Sequence, residues 1–269
     1  MRENLTRGIA GRDGRMRSRI LFPKALLVSF LAMVLLQGCA SVDPSTLETA
    51  RAKYNLGIVY LEARAVEQAQ KELLDAAALT PNDPEIAVGL GRVYSLQHRL
   101  PLALQQYQKA LSLNPQMGEA HFYLGNLYIE EHRWDDAIKE FQATLNSPRF
   151  SASQYAYNNM SLAYLEKGQY DKAVEGFLLA LRLDTEFYEA HNNLGKAYYM
   201  MGKNEEAIRE FRDAIRILPG YSQAQLNLGM ALVKKGDREG ATKSFRRVLE
   251  LSPDTELARE AQRYLQLLR

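Results

Sequence analysis

Few side chains in this sequence are placed to do chemistry. The 269 residues hold one cysteine, Cys39, and four histidines, His98, His121, His132 and His191. A zinc-binding helix sets two histidines four residues apart, and no such pair occurs here. His121 and His191 fall at a packing position of a repeating pattern, and His98 and His132 fall in the turns between predicted helices. The acidic pairs Asp135-Asp136 and Glu205-Glu206 open predicted helices, where negative charge suits the dipole, so they read as solvated helix starts rather than acid/base dyads. Trp134 begins a helix where Tyr170 begins the corresponding one, which makes it structural. The sequence therefore predicts no catalytic residue, no metal site, no cofactor and no small-molecule substrate. The chain is read as a binder rather than an enzyme.

Cys39 is the exception, through its surroundings. Arg12, Arg15, Arg17, Arg19 and Lys24 precede an apolar run from Ala25 to Leu36, too short to span a bilayer comfortably but suited to an export signal. The run ends Leu36-Gln37-Gly38-Cys39, which resembles the lipobox of bacterial lipoproteins. That resemblance implies a signal peptide over 1–38, acylation of Cys39 with chains such as palmitate, and a short linker over 39–45. Ala40 after the cysteine implies sorting to the outer membrane, on its periplasmic face. A lone cysteine forms no intramolecular disulfide. Ser45-Thr46-Leu47-Glu48 is predicted to be a capping box that opens the first helix. At roughly 3.4 Å per extended residue, the linker holds that helix within about 20 Å of the bilayer. The first 38 residues carry seven basic and two acidic side chains; without them the count is 27 Lys and Arg against 30 Asp and Glu, or −3. The basic balance belongs to the signal, so it gives no case for nucleic acid, which is not expected as a partner.

The rest of the chain repeats. Leu-Gly recurs at 56–57, 90–91, 124–125, 194–195 and 228–229, with Met160-Ser161 in the gap. A tyrosine stands three residues after the small residue (Tyr60, Tyr94, Tyr128, Tyr164, Tyr198), and Leu232 takes that place in the last copy. The spacing is 34 residues, except for one step of 36. At constant offsets come Ala69, Ala103, Ala137, Ala173, Ala207 and Ala241, then Leu73, Tyr107, Phe141, Phe177, Phe211 and Phe245. Apolar residues three and four apart share one helical face, and a fixed period of this length marks stacked helix pairs. Prolines such as Pro81, Pro115, Pro219 and Pro253 end the units. Helices are predicted at 46–62 and 66–79, 84–97 and 100–113, 118–131 and 134–146, 152–167 and 170–183, 188–201 and 204–217, 222–235 and 238–251. A last helix over 255–268 caps the stack.

This pattern resembles the tetratricopeptide repeat. The resemblance implies an all-α, right-handed superhelical solenoid of six repeats over 46–253, with a capping helix after them within 254–269. It also implies that the first helix of each pair lines a concave groove for a protein partner. Mapped onto this chain, the groove residues are Tyr54, Asn55, Ile58, Leu61, Val88, Arg92, Phe122, Asn126, Asn159, Asn193, Tyr199 and Asn227, with Tyr123, Asn158 and Asn192 beside them. The groove is apolar and tyrosine-bearing, as aromatic anchors require. Asn159, Asn193 and Asn227 stand in register. They are read either as local hydrogen-bonders or as an amide ladder for the backbone of an extended peptide. Tyr54, Gly89, Glu119 and Tyr123 occupy places where a carboxylate clamp would need Lys, Asn or Arg, which disfavours a chaperone-tail reader.

A lipid-anchored array of six such repeats, the third one longer, resembles the type IV pilus pilotin family of lipoproteins (PilF/PilW and Tgl-like). That resemblance implies a non-catalytic scaffold that helps secretin subunits reach the outer membrane and multimerise, with Tyr54, Ile58, Leu61 and Val88 carrying much of the contact. An adaptor for periplasmic cell-wall hydrolases or for outer-membrane assembly machinery is the alternative.

Overall fold

The structure, a computed structural model, describes residues 43–268; Cys39 and the predicted signal and most of its linker lie outside them. The described residues form thirteen α-helices. None of them is long and apolar enough to cross a membrane. Six antiparallel pairs succeed one another: α1 Pro44–Glu62 with α2 Val66–Leu79, α3 Pro84–Leu96 with α4 Leu100–Leu113, and α5 Gly118–Glu130 with α6 Trp134–Leu145. Next come α7 Ser153–Glu166 with α8 Tyr170–Leu183, α9 Tyr188–Met200 with α10 Asn204–Ile217, and α11 Ser222–Lys235 with α12 Arg238–Leu251. A single helix, α13 Glu256–Leu267, comes last.

Each pair closes on the glycine of its Leu-Gly. A Cβ placed on Gly91, Gly125, Gly195 or Gly229 would come within 3.0 Å of the ring of Tyr107, Phe141, Phe211 or Phe245, and at Gly57 it would meet Leu73 equally closely. Those rings are at most 1% exposed, so the absent side chain is what lets the second helix seat its aromatic. The fourth pair exchanges the roles. Ser161 stands on the first helix and the small residue is Gly176 on the second, where a Cβ would strike the Ser161 hydroxyl. That hydroxyl donates to the Tyr157 carbonyl at 2.7 Å.

Successive first helices touch (α3 with α5, and so on to α11 with α13), whereas among the described residues no two second helices do. First helices therefore form the inner curve and second helices fan apart outside it. The last helix takes the place of a seventh first helix. Thr255 caps it by accepting from the Ala258 N–H, and Tyr264 stacks on Phe245 at 4.9 Å. At the other end, Leu56 of α1 is exposed where Leu90, Leu124, Leu194 and Leu228 are buried.

The predicted helix limits hold to within two residues, but the predicted capping box does not form. The first helix begins at Pro44, and Ser45 is already inside it, its carbonyl accepting from the Thr49 hydroxyl at 2.8 Å. Proline with its preset φ is favoured at a first helical position, and it moves the start upstream of the serine. The long third unit is also more than a tolerated insertion. Phe150 from the extra loop packs on Phe122 at 5.4 Å, and the Ser147 hydroxyl donates to the Gln116 carbonyl at 2.9 Å.

One backbone position divides the array. The turn inside each pair places a residue in the left-handed region, and that residue is Arg64, His98 and His132 in the first three pairs but Gly168, Gly202 and Gly236 in the last three. A side chain in this conformation costs about 1 kcal/mol, which glycine avoids. Substituting Arg64→Gly together with His98→Gly is expected to raise the thermal unfolding midpoint of the chain; a lower midpoint would contradict the assignment of these turns as strained.

Candidate partner-binding groove

The inner curve of the first three pairs is aromatic and open. A cavity of about 390 Å³ lies among Tyr54, Ile58, Val88, Arg92, Met117 and Tyr123. A second, of about 380 Å³, continues from Arg92 and Tyr123 to Leu61, Tyr107 and Asn126. Between them the Arg92 guanidinium sits over the Tyr123 ring at 5.1 Å, and that ring stacks on Tyr107 at 6.0 Å with 13° between the planes. The Tyr107 hydroxyl meets the Ser95 hydroxyl at 3.2 Å, and burial pushes its pKa well above the ordinary phenol range. Arg92 makes no ion pair among the described residues, so its charge is available to a bound segment.

The predicted groove residues divide by depth. Tyr54 and Ile58 are half-buried on the wall of the groove, while Leu61 and Val88, 4% and 5% exposed, form its floor and offer little surface. Phe122 turns away, packing edge-on to Phe141 at 5.9 Å and against Phe150. Asn55 is exposed. Tyr199 lies under the Lys234 ammonium, 3.7 Å from its ring centre. Second helices and loops add what the mapping missed: Tyr107 on the floor, and Met117 and Arg149 at the mouth. Only contacts across pairs bring these residues to the groove.

The asparagines correct the reading of a ladder open to a peptide. Gln223 Nε2 donates to Asn227 Oδ1 at 3.1 Å, Asn227 Nδ2 to Asn192 Oδ1 at 2.8 Å, and Asn192 Nδ2 to Asn193 Oδ1 at 3.4 Å. Asn193 Nδ2 donates to Asn158 Oδ1 at 3.1 Å, Asn158 Nδ2 to Asn159 Oδ1 at 2.9 Å, and Asn159 Nδ2 to Asn126 Oδ1 at 2.8 Å. The amides satisfy one another through four first helices. Asn158, Asn192 and Asn227 are buried, where an unpaired amide is costly. Every donor points the same way, so the chain is polarised toward its last member. Asn126 Nδ2 makes no hydrogen bond among the described residues, and Asn126 lines the second cavity. The groove thus receives one amide donor.

A second recurring contact joins the two helices of a pair. Lys53 Nζ donates to Glu72 at 3.2 Å, His121 Nδ1 meets Glu140 at 2.6 Å, and His191 Nδ1 meets Glu210 at 2.7 Å, all across 19 residues. The other ring nitrogen faces a backbone carbonyl, Pro115 O at 3.0 Å and Thr185 O at 3.3 Å. A carboxylate and a carbonyl only accept, so the surroundings of each ring favour the form that carries a proton on both nitrogens. The Glu140 hydrogen bond raises the His121 pKa above its usual value. At His191 burial opposes the charge, and the Glu210 hydrogen bond with the Thr185 carbonyl outweighs it. Asp213 comes within 4.8 Å of His191 and Glu210, which makes this trio the one group of three potential metal ligands among the described residues. With both ring nitrogens engaged by protein acceptors and Asp213 held by Arg216, it reads as an ion-pair cluster.

Known proteins share this architecture. Models of the tetratricopeptide repeat match residues 95–158, 188–221 and 222–255, and a TPR repeat model matches 162–202. No curated protein sequence matches the chain. Among solved structures, PilF of Pseudomonas aeruginosa superposes with a TM-score of 0.72 at 20% identity, covering 82% of this chain and 99% of PilF. PilW, described as a widely conserved type IV pilus biogenesis factor, gives 0.74 at 19%, covering 80% and 98%. A chain of the APC/C hetero-tetramer Cut9-Hcn1 gives 0.73 at 16%, but the match spans 45% of that chain. At these identities the likeness is one of fold.

The geometry makes two outcomes measurable. Raised folded-state pKa values mean that the imidazolium–carboxylate pairs contribute fully below the ordinary histidine value of ~6.5 and fade as pH climbs through the folded values. The stability difference between the natural chain and a Glu140→Gln, Glu210→Gln variant should thus be largest in mild acid and shrink toward pH 9, measured by thermal melts across pH; a constant difference contradicts the charged state. Asn192→Ala, which strands two amide partners, should lower stability by about 1–3 kcal/mol in urea titrations, while Asn55→Ala changes it little.

Proposed function

We propose that this chain, a tetratricopeptide-repeat scaffold, is a non-catalytic lipoprotein of the type IV pilus pilotin kind, anchored through Cys39 at the periplasmic face of the outer membrane. In this reading the groove of the first three pairs holds a segment of a secretin subunit and assists its localisation and multimerisation. The observation that carries the reading is the placement of the groove. Its aromatic wall, its Arg92 without an ion pair among the described residues and the donor end of the amide chain all gather in the three pairs that follow the proposed anchor in sequence.

The recognition chemistry is that of an extended segment with apolar side chains. Tyr54 and Ile58 give it a wall, the Arg92–Tyr123 pair gives it a charged divider, and Asn126 Nδ2 donates to one of its backbone carbonyls. No covalent step is involved.

Substituting Tyr54→Asp with Ile58→Asp places two carboxylates on that wall while leaving the buried floor intact. The expected result in cells is a marked loss of SDS-resistant secretin multimers with an unchanged helical circular dichroism spectrum of the purified variant. Normal multimers in cells carrying it, at normal protein levels, would reject the assignment.

A further inference from the structure

Six copies of one unit let each surface be compared with its equivalents, and one edge of α1 departs from the rest. Thr49, Ala52, Leu56, Val59 and Ala63 follow one another at alternating steps of three and four, so they share one side of the helix. All five are exposed, Leu56 by 41% and Val59 by 56%. One period on, Ile86, Leu90 and Val93 stand where Ala52, Leu56 and Val59 do, and they are at most 5% exposed. The same positions are buried in α5, α9 and α11, where each helix packs against the second helix of the pair before it. Leu61, on the opposite side of α1, joins the core with Ile86, Leu90 and Val93 of α3. The open edge therefore faces out of the first end of the array.

The other end is finished differently. The exposed residues of α13 are Glu256, Arg259, Arg263, Gln266 and Leu267, four of them polar. A terminal unit needs such a polar outer face to stay in water, and α1 lacks one. Its open edge is small: from Thr49 to Ala63 a helix rises roughly 21 Å, and at about 10 Å width that is on the order of 200 Å². A stable pair of chains buries about 800 Å² on each partner, so this edge alone does not hold a second copy. A bilayer needs no such area once a tether supplies the local concentration. Cys39 stands five residues before Pro44, where α1 begins. The flank of the edge carries Glu48, Asn55 and Glu62, so its attraction to lipid is apolar rather than ionic.

We propose that the edge formed by Ala52, Leu56 and Val59 lies in the interfacial layer of the bilayer that holds the acyl chains of Cys39, with α1 parallel to the membrane plane. The inference rests on the anchoring through Cys39 proposed above. An amphipathic helix buries its apolar side at the boundary of headgroups and acyl chains in this way. The later pairs then stack away from the bilayer, and the inner groove starts at the membrane surface, with Tyr54 and Ile58 at its entrance.

The test places the full-length lipoprotein in vesicles of phosphatidylethanolamine and phosphatidylglycerol whose acyl chains carry a nitroxide. A thiol-reactive fluorophore is attached through Ala63→Cys or, at the far end of the array, through Gln266→Cys. The 19 residues of α1 span roughly 28 Å, so position 63 reaches lipid only if the helix lies flat. Quenching is expected at position 63 and not at 266, and it should persist at about 1 M salt, where ionic contacts are screened. Adding Leu56→Asp with Val59→Asp, both at exposed sites, should abolish the quenching while leaving the helical circular dichroism and the flotation with vesicles unchanged. The proposal is overturned if position 63 is unquenched, if the Asp variant is quenched equally, or if salt removes the quenching. A disulfide-linked dimer formed by unlabelled Ala63→Cys chains at high dilution in lipid would show a second copy on this edge and also overturn it. The anchor is read separately. Cys39 is the only thiol of the natural chain, so an acylated chain takes up no fluorophore and floats with the vesicles. Labelling of Cys39 without flotation rejects the anchoring and this proposal with it, whereas a blocked Cys39 with an unquenched position 63 rejects this proposal alone.

Discussion

The whole array depends on how closely two helices can approach at one point. Where Gly91, Gly125, Gly195 and Gly229 face the rings of Tyr107, Phe141, Phe211 and Phe245, no room remains for even a methyl group. That contact sets the separation within each pair. Because the ring is large and the glycine bare, the second helix tucks against the first, and the next pair must cover what both leave open. The exchange at Ser161 and Gly176 obeys the same constraint, since the space is fixed and either helix can supply the small residue.

This separation produces the difference between the two surfaces. First helices come into contact along the inner curve, close enough for side-chain amides 33 and 35 residues apart to bond. Second helices spread apart outside. The inner curve changes character along its length. From α7 onward its amides are spent on one another and Tyr199 is covered by Lys234, whereas over α1, α3 and α5 the aromatic wall is open. A partner segment thus meets a saturated surface at one end and an unsatisfied one at the other.

The paired contacts within units add orientation rather than bulk. Lys53, His121 and His191 reach the same position of the second helix, the residue just before the large apolar one. The partly buried histidine–glutamate pairs lie beside the cores, where solvent screens them less than exposed surface pairs.

The 34-residue period by itself determined the helices, the order of the pairs, the facing of glycine on ring and the capping role of the last helix. All of these are local matters: a helix is written in spacings of three and four, and the pairing in a fixed offset. The last helix, predicted from Thr255, begins one residue later with Thr255 as its cap, while Pro44 displaced the capping box predicted at Ser45. Which polar groups were already satisfied was decided only in three dimensions. Asn159, Asn193 and Asn227 look alike in the sequence, and each donates to an asparagine of a neighbouring unit while accepting from a residue of its own helix. Leu61 shares a helical face with Tyr54 and Ile58, and Val88 holds in α3 the repeat position that Tyr54 holds in α1, yet both are buried. The His121–Glu140 contact likewise depends on the approach of segments distant in sequence. Periodicity fixes which face a side chain takes; only packing between units fixes what lies opposite it.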